Sequence, residues 1–299
     1  MKAGMDRRDF LKLIGIGGAV FVCGLESSVH GAAKDGTQGD FLFVQLSDTH
    51  WGFNQPNINP DFAGTLKKAV AAVNSLKYQP DFIVFTGDLT HTADDPPERR
   101  KRMAEFRDIV KDLKVPNVRF LAGEHDASLD SGEAFHEFFG KSYYTFDHKG
   151  VHFIAIDNVS DPRGMIGDSQ LQWLADDLKQ RDKDAPIVIL THRPLFDLYP
   201  AWDWATRDGA KAMDLLMPYK QVIVLYGHIH QEHHHMTGQI PHHAAKGLMY
   251  PLPAPGSQPK KEPVSWDPAQ PYRGLGFRSI GAKAEKQEYV LTEFSVTGG

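Results

Sequence analysis

Cysteine is almost absent from this 299-residue chain: the single thiol, Cys23, lies in the first thirty residues. No disulfide can form within the chain, and no thiolate cluster can hold a metal. Any metal site must be built from imidazole and carboxylate. Long apolar runs are missing too. No stretch of about 18 apolar residues marks an ordinary membrane span. A basic excess is also lacking. Thirty-three Lys and Arg stand against 38 Asp and Glu, a net charge of −5, which argues against a nucleic-acid surface. Neither an internal repeat nor a linker divides the chain, so residues 40–296 read as one domain. Histidine, by contrast, is plentiful: 15 residues, seven of them at or after His228. Surface drift would account for such a number; so would a metal protein.

The first residues carry a separate signal. Asp6-Arg7-Arg8-Asp9-Phe10-Leu11-Lys12 precedes a Gly-rich apolar stretch, Leu13 to Leu25, too short to span a bilayer. This resembles a twin-arginine export signal, with Asp6 where Ser or Thr is more usual. Gly31-Ala32-Ala33 offers a cleavage site after Ala33, so residues 1–33 are expected to be a signal peptide. Val22 is too large for a lipoprotein site at Cys23. The resemblance implies recognition by the twin-arginine export machinery, a periplasmic or secreted location, and no stable membrane span once the signal is removed.

The rest of the chain alternates buried-strand patterns with helical ones, and the strand ends carry the chemistry. Phe41 to Ser47, apolar apart from Gln45 and Ser47, is a buried-strand candidate ending in Asp48-Thr49-His50. A carboxylate and an imidazole two apart can both turn to one point as the chain leaves extended geometry. A helical pattern over Asp61 to Lys77 leads to Phe82-Ile83-Val84-Phe85, which ends in Thr86-Gly87-Asp88. Another helix follows from Pro96, and its cluster Arg99-Arg100-Lys101-Arg102 is expected to be a solvated face. Val118 to Leu121 ends in Gly123-Glu124-His125-Asp126, three polar groups after a glycine. Strands around the Asp147–Gly150 turn and a helix over Gly167 to Lys179 come next. Ile187 to Leu190 ends in Thr191-His192, and a loop with Phe196, Tyr199, Trp202 and Trp204 offers a lid or substrate wall. Val222 to Tyr226 ends in Gly227-His228-Ile229-His230. Beyond it, His233-His234-His235 and His242-His243 read as a hairpin edge with solvated histidines, with a second metal site or a proton relay as the alternative. Residues 251–271 read as an irregular loop, and residues 287–296 as a closing strand.

Five strand ends thus carry Asp48/His50, Asp88, Glu124/His125, His192 and His228/His230. Their order and context resemble the calcineurin-like metallophosphoesterase superfamily, which includes purple acid phosphatases and cyclic-nucleotide phosphodiesterases. The likeness covers residues 41 to about 235, and Gly-His-x-His after an apolar strand is its most specific piece. It implies an α/β fold, a four-layer α/β/β/α sandwich of two mixed β-sheets flanked by helices. It further implies two divalent or Fe-type metal ions (Fe, Mn or Zn). Asp48, His50 and His230 would hold one, His192, His228 and Glu124 the other, with Asp88 bridging. His125 matches the histidine that meets the substrate phosphate and protonates the leaving group, and Asp126 matches its orienting acid. The implied reaction is hydrolysis of a small phosphoester by a metal-bound hydroxide. Two alternatives stand beside it: a phosphodiesterase for cyclic nucleotides or lipid headgroups, and an exported metal-binding protein without catalysis. Two positions depart from the pattern. The family usually has Asn where Glu124 stands, and Glu is longer and adds a negative charge. His91 stands where purple acid phosphatases carry a ligand Tyr, leaving it as an extra ligand, a phosphate contact or a partner behind the ligands.

Overall fold

The computed structural model describes residues 20–24, 39–283 and 288–297. Its strands are β1 (Val20–Gly24), β2 (Phe41–Leu46), β3 (Phe82–Thr86), β4 (Val118–Leu121), β5 (Tyr144–His148), β6 (Val151–Ala155), β7 (Pro186–Leu190), β8 (Gln221–Tyr226), β9 (His233–Thr237), β10 (Ile240–Ala244), β11 (Gly276–Lys283) and β12 (Glu288–Ser295). Helices α1 (Thr65–Asn74), α2 (Pro96–Val110), α3 (Glu124–Ala127), α4 (Glu133–Phe139), α5 (Asp168–Leu178) and α6 (Gly209–Leu216) connect them. One sheet runs β1-β12-β11-β2-β3-β4 and the other β5-β6-β7-β8-β10-β9. In the first, β2, β3 and β4 are parallel; in the second, β6, β7 and β8 are parallel to one another and β10 to β8. Both are mixed sheets, because β11, β12, β5 and β9 pair antiparallel to their neighbours.

Successive strand residues face opposite ways, and here both faces are covered, which is why the central parallel strands β2, β3, β7 and β8 read as largely apolar segments. Phe43, Phe82 and Phe153 meet between the sheets with Val188, Leu225 and Ile280. Their neighbours Val44, Ile83 and Phe85 point outward onto α1, α2 and α4. On the far side, Ile154, Ile187, Ile189 and Val224 meet α5 and α6. Three buried seams make four layers, so the expected α/β/β/α sandwich is the fold observed. The sequence pattern does not mark β11, whose apolar residues are interrupted by Gly276, Arg278, Ser279 and Gly281.

Three local expectations change. In the cluster at 99–102, Arg100 and Lys101 are solvated, but Arg99 and Arg102 turn inward. Arg99 Nη1 lies 2.7 Å from Asp130 Oδ2, and Arg102 Nη1 donates to the carbonyls of His91 and Thr92, both at 3.0 Å. The aromatic loop is no open lid: Trp202 and Trp204 are buried with Tyr226, Ile229 and Ala244. The late histidines do form a hairpin at a sheet edge, yet His242 and His243 are buried within it. Of the expected export signal, the structure describes only Val20–Gly24, which pairs antiparallel with Glu288–Thr292. The rest of that segment and the cleavage site after Ala33 lie outside the described residues.

Candidate metal centre

The parallel strands β2, β3 and β8 all deliver side chains at their carboxyl ends, and the backbone there is unusual. Asp48, His50, Asp88, His228 and His230 all have positive φ, between 41° and 66°. Only three other non-glycine residues among those described do so. A side chain costs energy in this left-handed region, so its recurrence at one locus indicates positions over-determined by their surroundings. The turns interlock: Asp48 N–H donates to the carbonyl of Gly87 at 3.0 Å, and His50 N–H to that of Asp88 at 2.9 Å. His228 N–H reaches Asp48 Oδ1 at 3.1 Å. Gly87, at φ 98°, leaves space that a Cβ would take from His192, coming within 2.3 Å of its Nδ1.

All seven side chains expected as ligands converge. Asp48, His50, Asp88 and His230 form one buried group, with ligand atoms within 4.8 Å of one another; Glu124, His192 and His228 form a second. Asp88 Oδ2 lies 3.5 Å from His50 Nε2 of the first group and 3.4 Å from His192 Nε2 of the second. Within the first, His230 Nε2 is 3.3 Å from Asp48 Oδ1 and 3.1 Å from His50 Nε2. Within the second, Glu124 places Oε2 2.9 Å from His192 Nε2 and Oε1 2.8 Å from His228 Nδ1.

Hydrogen bonds behind the rings decide which nitrogens face inward. His192 Nδ1–H donates to the Thr86 carbonyl at 2.7 Å, and His230 Nδ1–H to that of Tyr250 at 2.6 Å. Both neutral rings therefore aim an Nε2 lone pair at carboxylates, a repulsive arrangement without a cation between them. Glu124 Oε2, His192 Nε2 and both His228 nitrogens are buried without an aligned hydrogen bond. That orphaned set of oxygen and imidazole donors fits divalent cations of the Zn, Mn or Fe type.

The titration behaviour carries the same message. Burial pushes Asp48 upward, but His230 and His192 beside it hold the carboxyl below its usual range. Burial is likewise overcome at Glu124, which His228 and His192 hold well below the usual value. At His192 burial opposes the charged ring, yet Asp88 and Glu124 raise it well above the ordinary imidazole value. His230 rises against burial through Asp48. His50 moves the other way, held well down by burial and then by His125, His230 and His91. The pocket demands positive charge, from protons or from metal.

His125, on α3, stands at the rim. Its Nε2 is 4.0 Å from Asp88 Oδ2, and its ring stacks on His91 with centroids 4.9 Å apart. Asp126 does not orient it. The Asp126 carboxylate accepts instead from the N–H groups of Leu89, Thr90 and Gly123 at 2.8–3.0 Å and from the Thr90 hydroxyl at 2.9 Å. It lies in the first turn of α3, accepting from the Gly123 N–H at that helix start and from two N–H groups of the loop after β3. His125 Nδ1 faces Thr92 Oγ1 at 2.5 Å.

A family model described as calcineurin-like phosphoesterase matches residues 41–232. The chain belongs to this family. Relatives of the chain include a mouse protein named serine/threonine-protein phosphatase CPPED1, 26% identical over 181 residues. That match covers 53% of this chain and 58% of the mouse protein, so the chain spans under two thirds of that relative's length. A probable cyclic nucleotide phosphodiesterase of Rhodopseudomonas palustris is 25% identical over 226 residues, 70% of this chain and 78% of that one. Among solved structures, a purple acid phosphatase from yellow lupin seeds superposes with a TM-score of 0.63 at 17% identity. It covers 87% of this chain and 52% of its own, a likeness of fold.

Within this centre, the two departures noted in the sequence have defined places. Glu124 reaches both His192 and His228, so its extra length is used. His91 Nδ1 lies 3.3 Å from His50 Nδ1, the position of an acceptor for that ring's outer N–H. Two contributors escaped the sequence reading. Tyr250 accepts from His230 through its carbonyl, stacks on His50 with centroids 5.0 Å apart, and has its hydroxyl 3.4 Å from His50 Nε2. Thr92 touches His125. Neither follows an apolar strand, and no periodicity points to either.

Proposed function

We propose that the chain is a metal-dependent hydrolase of phosphate esters. The observation that carries this reading is the pair of ligand groups sharing one oxygen, Asp88 Oδ2, with His125 at their rim. Cations held by Asp48, His50, Asp88 and His230 and by Asp88, Glu124, His192 and His228 would supply Lewis acidity toward phosphoryl oxygens and a water of lowered pKa. The chain's own groups do the rest. The carbonyls of Thr86 and Tyr250 fix two ligand rings, and partly exposed His125 presents Nε2 on the side where a leaving oxygen would sit.

Glu124 favours diesters within that class. Its carboxylate brings the acids around the centre to three, which offset most of the charge of two divalent ions. The remaining positive charge suits a singly charged diester better than a doubly charged monoester. The test is hydrolysis of p-nitrophenyl phosphate and bis-p-nitrophenyl phosphate by zinc-, manganese- or iron-loaded protein. Hydrolysis of either supports the class; hydrolysis of neither under any loading sinks it. Glu124→Asn is expected to raise the monoester-to-diester rate ratio, and an unmoved ratio removes the charge argument.

We further propose export by the twin-arginine route, on the strength of Arg7-Arg8 ahead of the short apolar stretch. Arg7→Lys with Arg8→Lys should leave the protein inside the cytoplasm on cell fractionation. Undiminished appearance outside it would refute the route.

A further inference from the structure

We propose that Thr92 is the positioning residue for His125, in the place the sequence pattern assigns to Asp126; the proposal rests on the phosphoester-hydrolase reading. The His125 ring is confined by its neighbours: His91 stacks on one face, and His50 meets it at 85° with centroids 4.6 Å apart. Such packing limits tilt but cannot distinguish the ring from its flipped form, in which carbon and nitrogen trade places. Only a polar partner on Nδ1 decides between them. Thr92 Oγ1 lies 2.5 Å from Nδ1 and can donate or accept, whereas the Thr92 backbone N–H, 3.3 Å away, can only donate and so serves the ring when Nδ1 is bare. With Nδ1 held there, Nε2 faces the cluster 4.0 Å from Asp88 Oδ2; flipped, the ring would put a carbon in its place.

A hydroxyl suits this task because it serves Nδ1 whether or not that atom carries a proton. It donates to a bare Nδ1 and accepts from Nδ1–H. In the charged ring, Nδ1–H bonds to Thr92 Oγ1 and Nε2–H points to the ester. As the P–O bond breaks, the departing alkoxide oxygen takes the Nε2 proton. The ring is left neutral, its remaining proton still on Nδ1 and bonded to Thr92. The proton lost by the attacking water, released to solvent, matches the one solvent returns to Nε2. Thr92 is itself anchored. Arg102 Nη1 holds the carbonyls of His91 and Thr92, and Asp126 holds the N–H groups of Leu89 and Thr90. Asp126 thus acts on the strap that carries Thr92 rather than on His125, and β-branching restricts the Thr92 side chain to few rotamers.

The test compares the full chain with Thr92→Val and Thr92→Ser, all zinc-loaded, on a nitrophenyl ester and an alkyl ester of whichever class it hydrolyses. A nitrophenolate departs without help from a proton, whereas an alkoxide needs one. Thr92→Val is expected to lose roughly 10²-fold in kcat on the alkyl ester. Its loss on the nitrophenyl ester should be about 10-fold smaller or less still, and Thr92→Ser should restore both. Zinc content should stay level across the three. Independently of turnover, the His125 Nδ1 resonance in 15N spectra should move in Thr92→Val and stay in Thr92→Ser. Equal losses on both esters, an unshifted resonance, or a Ser variant as poor as Val would each overturn the assignment while the hydrolase reading stands. A wild-type chain inert toward every ester overturns both.

Discussion

Asp88 is the residue on which both halves of the centre depend, and its place is set by something smaller than itself. Gly123 lies against it so closely that a Cβ there would come within 2.0 Å of Asp88 Oδ1 and 2.1 Å of Asp88 N. The backbone at Gly123 is otherwise ordinary, with φ −105°, so alanine would be rejected by contact alone and not by torsion. Something must shift, and the atoms in the way belong to the shared carboxylate and its own main chain. Gly123→Ala should therefore cost about 1–3 kcal/mol of stability and lower bound zinc at both ligand groups together. Thermal unfolding and elemental analysis of the variant decide this. Unchanged melting with full zinc content would show that the loop yields without moving Asp88. At this scale the sequence was a good guide to ligands and a poor one to their supports. Asp48, Asp88, His192 and His228 follow apolar strands, and their type announces their chemistry. Thr92 and Tyr250 act through a hydroxyl and a carbonyl, groups so common that only their position gives them meaning. Asp126 misled because adjacency to His125 in the chain is not adjacency in space: on one helical turn, consecutive side chains point about 100° apart.

Among elements, legibility followed burial. The strands β2, β3, β7 and β8 are covered on both faces, so each reads as a largely apolar segment, and the polar cluster that follows it marks where it ends. Strand β11 is just as buried, but it carries Arg278, fully enclosed, whose Nε meets Glu293 Oε1 at 2.6 Å. A buried ion pair between neighbouring strands cannot be anticipated from one strand's composition, because the second charge comes from β12. Helix α2 shows the converse. Its Arg99 and Arg102 lie three apart, on the same face, which is the side turned to the strap at 91–94. Four consecutive basic residues read as a solvated run, yet helical geometry was bound to send some of them inward.

For the whole molecule, two sheets that each bury both faces bring five strand ends from nearly the length of the domain to one edge. The consequence is a centre that no segment holds alone, so its occupancy and the stability of the fold are linked. The sign of that linkage can be worked out. In the metal-free chain His192 and His230 have raised pKa values, so near neutral pH His192 above all retains a proton that its unfolded form would begin to release above the ordinary imidazole value of about 6.5. A raised pKa gives stability that is full below the unfolded value and lost as pH climbs through the folded one. Metal takes the same lone pairs, so it must displace those protons. Addition of zinc to chelator-stripped protein in weak buffer at pH 7 should therefore release protons, and the release should shrink as the starting pH is raised. Zinc held at about 100 times its Kd should also lift the melting temperature by about 5–10 °C. At one fixed zinc concentration the lift should be greater at alkaline pH, where fewer protons compete for those nitrogens and the apparent Kd falls. Calorimetry at several pH values measures both effects. Zinc uptake with no proton release at any pH would mean that the inward-facing nitrogens are not the atoms that bind.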